Sequence, residues 1–425
     1  MMTSSKYEAY RESHIPGVDL IPKHWSTVPL CAISKMKSIT NCRDKELLSV
    51  YLDFGVIRFS DVNEKRTNST SDDMSKYQEV SPGDFVLNNQ QAWRGSVGVS
   101  KYEGIVSPAY IVLELKAGID ANFANYFFRN GAMVSQYLIC SRGVGTIQRN
   151  LYWPQLRRVQ VALPPLPEQQ RIANFLDQKT AEIDDTINKK QRLIVLLKEQ
   201  KAILINQVVT KGLDLDVLMR ESSVEWIGKV PAHWKGTKAK FLFVQSRLPV
   251  RKEDGVVTAY RNGQVTLRSN RRTEGYTVAI LEQGYQGIRK GQLVLNSMDA
   301  FAGAIGVSDS DGKCSPEYVI CDPIDQDEII QSYYALLLRE MALSGYIEVI
   351  SSAVRQRAMR IRFNNLSSLL LPVPPSKEQS QIVERVSVIS DRFDSLIEKL
   401  NMEIDLIKEY CTILISNAVT GKIKI

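Results

Sequence analysis

Amide and guanidinium side chains gather in one short segment of the first half of the chain. The segment NNQQAWRG (88–95) carries Asn88, Asn89, Gln90 and Gln91 beside Arg94. Asn and Gln present a donor and an acceptor side by side, which matches the edge of adenine, and the planar Arg suits phosphate and guanine. The segment therefore predicts a surface that hydrogen-bonds to nucleic acid.

Further arginines stand apart from acidic residues in both halves of the chain. Residues 121–167 contain five Arg and no Asp or Glu, and the second half has basic stretches at 260–276 and 352–363. Residues 235–300 hold twelve Lys and Arg against five Asp and Glu, an excess equal to the net charge of +7 of the whole chain. This distribution favours double-stranded DNA as a partner. The further candidate contacts are Arg142, Arg149, Arg261, Arg268, Arg271 and Arg272.

Patterns for catalysis or metal binding are missing from the sequence. Its six Cys form no C-x2-C pair and it has three His, so neither a zinc site nor a disulfide framework is expected. There is no G-x4-G-K-[ST] loop and no Asn/Asp-Pro-Pro-Tyr loop of an adenine methyltransferase. His24 and His233, each before a Trp, are interpreted as packing residues. We expect a non-catalytic chain that binds no cofactor and no membrane, in the cytoplasm.

The chain repeats itself with a period of about 210 residues. Residues 77–110 recur at 285–318 without a gap, at a constant offset of 208. Asn296 thereby takes the place of Asn88 and becomes a candidate contact, whereas Arg94 becomes Ala302 and 89–91 (NQQ) becomes 297–299 (SMD). Identical residue types recur at Gly83, Leu87, Asn88, Gly95, Gly98, Ser100, Ser107, Pro108 and Tyr110.

Each copy begins with short apolar runs that Gly, Pro, Asn and Asp interrupt, such as DFVLNN and SVGVS in the first and QLVLNS and AIGVS in the second. Such runs predict short strands joined by tight turns. A more helical stretch follows at 124–139 and at 329–347. Each copy is therefore predicted to be an α+β globule.

A long helix is predicted after each globule. Proline clusters at 163–170 and 371–379 precede about 40 residues without Gly or Pro, which end at Gly212 and Gly421. Apolar residues with 4-3 spacing predict a coiled-coil seam, although two separate amphipathic helices remain an alternative. Lys190 and Lys201 occupy two seam positions, for which the sequence offers no reason. The seam comprises Ile183, Ile187, Ile194, Leu197, Leu204 and Val208, and then Phe393, Ile397, Leu400, Ile404, Ile407, Cys411, Leu414 and Ala418.

This order predicts four parts: globules at 1–165 and 213–374, and helical segments at 166–212 and 375–425. Because the ends of a compact domain lie near each other, the second helix should return along the first in an antiparallel pair with a pseudo-two-fold axis. A homodimer would read a palindrome, but two different surfaces on one frame should read an asymmetric, two-part DNA sequence. Helices of about 60 Å would set the gap between its halves.

Several motifs together give the sequence a family resemblance over its whole length. These are PPLPEQQRI and PPSKEQSQI, VVTKGL and AVTGKI, VEWIGKVPAHW, and the GxxGVS…SPxY core of each globule. The chain resembles the specificity (S) subunit of Type I restriction–modification systems. The first copy departs from the pattern, since VDLIPKHW lacks three residues that VEWIGKVPAHW has, which puts its first strand in doubt.

The resemblance implies two target recognition domains, each reading half of a split DNA site, with a central and a distal helical spacer. It also implies that the helices dock two modification (methyltransferase) subunits, and that restriction (endonuclease) subunits join through the complex. S-adenosylmethionine, ATP and Mg would be used by those partners, in adenine methylation and ATP-dependent cleavage.

Two other classes of function remain open on the sequence. The chain could be a solitary two-headed DNA-binding regulator, or a coiled-coil scaffold without a DNA role. An adjacent methyltransferase gene would favour the specificity subunit over both.

Overall fold

The computed structural model describes residues 6–52, 54–61, 73–143, 149–214, 216–222, 224, 226–271, 284–347 and 360–425. The chain divides into two compact units. Unit 1 is Met1–Gln191 with Asn401–Ile425, and unit 2 is Arg192–Leu400. Each of the two long helices contributes to both units, so unit 1 is built from two separate stretches of the chain.

Unit 1 is centred on a four-stranded antiparallel sheet in the order β4-β11-β8-β9. The remaining strands form antiparallel pairs, namely β1-β2, β3-β14, β5-β6, β7-β10 and β12-β13. The strands are β1 (Tyr10–Ile15), β2 (Val18–Pro22), β3 (Ser26–Pro29), β4 (Ser34–Lys37), β5 (Leu48–Tyr51), β6 (Gly55–Arg58), β7 (Gln78–Val80), β8 (Phe85–Asn88), β9 (Val97–Val99), β10 (Gly104–Val106), β11 (Tyr110–Leu115), β12 (Ser141–Arg142), β13 (Asn150–Leu151) and β14 (Gln160–Leu163).

Unit 2 repeats this topology in a sheet of order β18-β25-β22-β23. The pairs β15-β16, β17-β26, β19-β20 and β21-β24 correspond to pairs of unit 1. The internal repeat is therefore a repeat of the fold, strand for strand in the central sheet. The strands are β15 (Met219–Glu221), β16 (Lys229–Pro231), β17 (Lys235–Lys238), β18 (Phe243–Gln245), β19 (Val257–Ala259), β20 (Val265–Leu267), β21 (Gln286–Ile288), β22 (Leu293–Asn296), β23 (Ile305–Val307), β24 (Gly312–Cys314), β25 (Tyr318–Pro323) and β26 (Leu370–Val373).

The first strand that the sequence left in doubt is present. In unit 1, β1 pairs with β2, as β15 pairs with β16 in unit 2, so the three missing residues leave the hairpin intact. Gly17, at φ +83°, takes the left-handed backbone at the shorter turn, a conformation that glycine adopts readily.

Helices cover the central sheets and fill the cores. The stretch predicted to be helical at 124–139 forms two helices, because Asn130 is extended and its side chain accepts hydrogen bonds from the N–H groups of Ala132 and Met133. Phe128 stacks on Phe85 of β8, with ring centroids 4.1 Å apart. The helices are α1 (Leu30–Ile33), α2 (Ala121–Arg129), α3 (Gly131–Ile139), α4 (Trp153–Leu156), α5 (Leu166–Lys211), α6 (Gln331–Leu343), α7 (Phe363–Ser368) and α8 (Ser376–Val419).

The glycines that recur at 98 and 306 allow two hairpins to cross the sheet closely. A Cβ at Gly306 would lie 1.9 Å from the carbonyl oxygen of Gly263, beside the β19–β20 turn. At Gly98 it would lie 3.0 Å from the backbone of Gly55. The GxxGVS motif is therefore part of the frame of each globule.

In unit 1, the start of α5 and the end of α8 run antiparallel. Ile172, Leu176, Ala418 and Val419 belong to one buried cluster, and further along the pair Lys190 Nζ lies 2.5 Å from Glu403 Oε2. The seam positions are the less exposed positions along both segments, as the 4-3 spacing predicts. An ion pair across the seam therefore explains why a lysine occupies position 190, which the sequence did not reveal.

In unit 2, the other halves of the two helices pair in the same antiparallel sense. Ile205 and Val209 share a core with Ile382, and Lys201 Nζ lies 2.7 Å from Asp394 Oδ2. Lys201 is the second lysine in the predicted seam, and its side chain is only 22 % exposed. Each seam lysine therefore keeps its charge paired at a position that is otherwise apolar.

A Glu-Gln pair fixes the start of each long helix. Glu168 accepts hydrogen bonds from Trp25 Nε1 at 3.1 Å and Tyr7 OH at 2.5 Å, and His24 Nε2 lies 2.8 Å away. Burial raises the pKa of Glu168, but these hydrogen bonds together lower it by more, so that the pKa lies below its ordinary value. The neighbouring Gln169 donates to the carbonyl oxygens of residues 118 and 164.

Unit 2 repeats the arrangement with Glu378, which lies 2.8 Å from His233 and 3.1 Å from the Trp234 nitrogen. The prediction that both histidines are packing residues needs correction. The tryptophans are buried, whereas the histidine side chains are 47 % and 46 % exposed and contact the glutamates through a ring nitrogen. The Pro-Glu-Gln motif therefore joins each helix to its globule.

Among the described residues, none of the helices has both the length and the apolar character that a membrane crossing requires.

Candidate nucleic-acid interface

The loops that follow β8 and β22 have the same backbone path. The N–H of Asn88 donates to Ser96, and that of Asn296 donates to Ala304, each at 3.0 Å. Each loop ends at a glycine with positive φ, Gly95 at +104° and Gly303 at +88°. The two loops therefore differ in the side chains that they carry on a common frame.

The amides of the β8–β9 loop (88–95) are partly held by the loop itself. Asn88 Oδ1 accepts the N–H of Gln90 at 3.2 Å, and Asn89 Oδ1 is buried without a partner among the described atoms. Gln90 is exposed, and Gln91 is half-buried. The loop thus offers at least one amide directly to solvent, beside Arg94, which is exposed as well.

Two of the predicted arginines lie near the ring of Trp93. The Arg94 guanidinium carbon lies 4.6 Å from the centre of the Trp93 ring, and that of Arg149 lies 5.6 Å from it. The Trp93 ring nitrogen donates to the Gln90 carbonyl oxygen at 3.0 Å. The sequence interpretation named both arginines but not the ring that brings them together.

The β12–β13 hairpin carries Arg142 to the same part of unit 1. The N–H of Leu151 donates to the Asn89 carbonyl oxygen at 3.2 Å, which fixes the hairpin beside the β8–β9 loop. Arg142 stacks on Tyr152, with its guanidinium carbon 3.6 Å from the ring centre. The structure therefore brings all seven candidates of the first copy together: Asn88, Asn89, Gln90, Gln91, Arg94, Arg142 and Arg149.

The corresponding loop of unit 2 (296–303) is less basic. Asn296 is buried, with 6 % exposed, and its Oδ1 accepts the N–H of Met298 at 3.3 Å. Its side chain is directed into the unit rather than to the surface. Arg261 is exposed but forms an ion pair with Asp299 at 2.8 Å, the residue that stands where unit 1 has Gln91.

The other candidate arginines of unit 2 that the structure describes lie on or near the β19–β20 hairpin. Arg271 stacks on Tyr260 at 4.2 Å, and Arg268 Nε donates to Thr258 Oγ1 at 3.4 Å. Arg272 lies outside the described residues. The hairpin therefore brings Arg261, Arg268 and Arg271 together.

A polar cleft of about 410 Å³ in unit 2 contains arginines that the sequence interpretation did not single out. Arg247, Arg360 and Arg362 line it together with Ser297. The N–H of Ile361 donates to the Ser297 carbonyl oxygen, as that of Leu151 does to Asn89, so the segment occupies the same place on the frame. The sequence signal for Arg360 and Arg362 is the basic composition of 352–363, and that for Arg247 is the basic excess of 235–300.

The acidic residues near the sheets have structural partners. Asp84 accepts the N–H of Ser81 and pairs with Lys37, both at 2.8 Å. Gln292 takes the same place in unit 2 and accepts the N–H of Arg289 at 2.7 Å. Within the described part of the chain, no group of three or more His, Cys, Asp or Glu residues could hold a metal ion.

The long helices expose a second kind of surface. In unit 1, one face of α8 carries Met402, Leu406, Tyr410 and Ile413, all of them at least half exposed. Their spacing of three and four residues places them on one side of the helix, away from the seam. In unit 2, α5 exposes Leu193, Leu196 and Ile203. Apolar faces of this kind are typical of protein interfaces.

Comparison with known proteins assigns the chain to a family. The family model described as "Type I restriction modification DNA specificity domain" matches it twice, over residues 22–195 and 246–406. The chain belongs to this family and carries two copies of its domain.

Relatives with established names share the same description. The StySPI specificity subunit of Salmonella potsdam is 19 % identical, over 95 % of this chain and 90 % of its own length. The EcoKI specificity subunit of Escherichia coli is 20 % identical over the same fractions. The MjaVIII specificity subunit of Methanocaldococcus jannaschii is 23 % identical over 83 % of each chain. All three are named as specificity subunits of type I restriction enzymes.

Solved structures show the same fold. A chain from a type I restriction–modification system aligns with a TM-score of 0.62 and 14 % identity, over 95 % of this chain and 99 % of that one. The HsdS subunit from Thermoanaerobacter tengcongensis aligns with a TM-score of 0.54 and 14 % identity, over 95 % and 98 %. The predicted α+β class with repeated globules and long helices, and the family resemblance, are confirmed.

Proposed function

We propose that this chain is the non-catalytic DNA specificity subunit of a type I restriction–modification complex. Each unit reads one half of an asymmetric, two-part sequence in double-stranded DNA. In this proposal, residues 1–165 and 213–374 are the target recognition domains, and residues 166–212 and 375–425 are the helical spacers.

One observation carries the proposal: the two units share the backbone frame and its recurring glycines, whereas different residues stand on the loops. The turns at Gly95 and Gly303 have the same geometry. Between each of these turns and the strand before it, unit 1 carries NQQAWR (89–94) where unit 2 carries SMDAFA (297–302). Base edges are distinguished by side-chain donors and acceptors, so two such loops should select different bases.

The exposed apolar faces of the long helices support a docking role. Four large side chains on α8 of unit 1 are 50–63 % exposed, although a free helix would more commonly carry polar residues there. We assign these faces to two methyltransferase subunits, with restriction subunits joining through the complex. S-adenosylmethionine, ATP and Mg then belong to the partners, which carry out adenine methylation and DNA cleavage in the cytoplasm.

The decisive test is long-read sequencing of DNA from cells that express the chain with its methyltransferase. We expect methylated adenines in a motif with two different halves and an unread gap between them. A contiguous or palindromic motif, or methylation that persists after the gene is deleted, would contradict the proposal.

A loop exchange assigns the halves to the units. Residues 297–302 are replaced by NQQAWR, which the common backbone path of the two loops should accept. The half read by unit 2 should change and the other half should persist. The reverse graft of SMDAFA onto residues 89–94 is the matched control, and it should change only the first half.

The role of the helices as a spacer has a separate test. Seven residues are deleted from each helix around the Lys190–Glu403 pair, which preserves the antiparallel register. Seven residues shorten a helix by about 10 Å, or about three base pairs of DNA. Methylation sequencing should show an unread gap shorter by about this amount, and an unchanged gap would exclude the spacer role.

A further inference from the structure

Aromatic rings lie against the arginines that unit 1 is proposed to present to DNA. Arg142 is 3.6 Å from the centre of the Tyr152 ring, and Arg94 is 4.6 Å from that of Trp93. These distances are within the range of cation–π attraction, which ends at about 6 Å. Arg149 lies at the edge of that range from Trp93, at 5.6 Å.

Unit 2 shows the same arrangement on a different element. Arg271 is 4.2 Å from the centre of the Tyr260 ring, at the base of the β19–β20 turn. Tyr152 aligns with Arg362 at an offset of 210, and Tyr260 aligns with Leu52 at an offset of 208. Trp93 aligns with another aromatic residue, Phe301, which is followed by Ala302 rather than by an arginine. The stacks on Tyr152 and Tyr260 therefore stand at positions that are not aromatic in the other copy, so the shared frame does not account for them.

A ring and a carboxylate hold an arginine with opposite consequences for binding. A carboxylate occupies the N–H donors and cancels the charge, as Asp299 does for Arg261 at 2.8 Å. A ring contacts the face of the guanidinium and leaves the donors, which lie in its plane, directed outward. In the described part of the chain, no carboxylate lies within ion-pair distance of Arg94, Arg142 or Arg271. Arg271 Nη1 donates to the uncharged Asn262 Oδ1 at 3.4 Å, which leaves the charge of Arg271 uncancelled.

We propose that Tyr152, Trp93 and Tyr260 are positioning residues for DNA binding, whose rings hold Arg142, Arg94 and Arg271 in place with their donors available to DNA. An arginine restricted before binding loses less side-chain entropy when it meets a phosphate or a base. The inference rests on the proposed function, since it concerns how the same surface binds DNA.

The Tyr152–Arg142 pair gives the sharpest test, because it is the closest stack and the Tyr152 ring is only partly buried. The probe is a labelled DNA duplex selected from random sequences on the unaltered full-length chain, and affinity is measured by fluorescence anisotropy. Tyr152→Leu should weaken binding about two- to tenfold. Tyr152→Phe keeps the ring and should bind within twofold of the unaltered chain.

A double-mutant cycle separates positioning from general damage to the fold. Arg142→Ala should weaken binding, and adding Tyr152→Leu to it should cause no further loss. Tyr102→Leu is the matched control, because it removes a ring 5.1 Å from Arg58, an arginine paired with Glu46 outside the proposed surface. The control should leave affinity unchanged, and unfolding midpoints show that each variant is folded.

The failures of the inference and of the proposed function differ. Suppose that Arg142→Ala weakens binding but Tyr152→Leu does not, or that Tyr152→Leu weakens the Arg142→Ala variant as much as it weakens the unaltered chain. Either result overturns the positioning role of Tyr152 and leaves the DNA-binding role of Arg142 standing. If Arg142→Ala itself leaves affinity unchanged, this arginine has no part in DNA binding and both are overturned at this site.

Discussion

Replacing Glu168 by Ala should destabilise unit 1 by about 2–4 kcal/mol. The Trp25 ring nitrogen is buried, and leaving its N–H without an acceptor costs about 1–3 kcal/mol. The hydrogen bond from the half-buried Tyr7 hydroxyl contributes about 1 kcal/mol more. His24 adds little, because its side chain is nearly half exposed and water can replace the carboxylate.

Two further variants provide the comparison. Glu168→Gln keeps an oxygen for Trp25 and Tyr7, and its amide can donate to His24, so it should cost about 1 kcal/mol. Glu378→Ala should cost less than Glu168→Ala, because Glu378 has two side-chain partners among the described residues, where Glu168 has three, and its side chain is 19 % rather than 7 % exposed. Urea unfolding followed by circular dichroism and tryptophan fluorescence measures all three.

The same carboxylate predicts a dependence on pH. Because the pKa of Glu168 is lowered in the folded chain, its contribution is complete above its ordinary pKa and is lost as the pH falls through the lowered value. The unaltered chain should therefore lose more stability in acid than Glu168→Ala does. Equal urea midpoints for the unaltered and Ala chains, or a Gln variant as unstable as Ala, would refute this account of the helix start.

Three further changes have specific expected outcomes. Lys201→Glu should destabilise unit 2 by about 1 kcal/mol and adding Asp394→Lys should restore it, which urea unfolding of the single and double variants measures. Asp299→Asn should release Arg261 and steepen the loss of DNA affinity with salt, measured by anisotropy titrations at several salt concentrations. Gly306→Ala should destabilise unit 2 by more than about 2 kcal/mol, visible as a lower melting temperature, because its Cβ would overlap a backbone oxygen.

The frame of the fold could be predicted from the sequence because the chain supplies two copies of it. Gly98 and Gly306 recur because both hairpins approach the sheet too closely for a side chain. The 4-3 spacing predicts the seam correctly, since burial follows the helical period along α5 and α8. Lys190 and Lys201 remained unexplained because their partners lie 213 and 193 residues away in the sequence.

The candidate interface could be predicted only in part. Arginines were identified by composition, and most of those in the described residues lie on loops and hairpins of the two units. Asn296 was named because it aligns with Asn88, but the equivalent backbone position directs its side chain inward. Trp93, Tyr152 and Tyr260 were missed, because an aromatic residue beside an arginine in the fold has no fixed spacing in the sequence.

The division of α8 between the units has a consequence for the order in which the protein folds during synthesis. Unit 2 is one continuous stretch, so all of its contacts become possible once residue 400 has left the ribosome. The core of unit 1 needs Ala418 and Val419, both fully buried, which are made after the whole of unit 2. The half of the protein that is translated first is therefore completed second, and until then Ile172 and Leu176 lack their partners from α8.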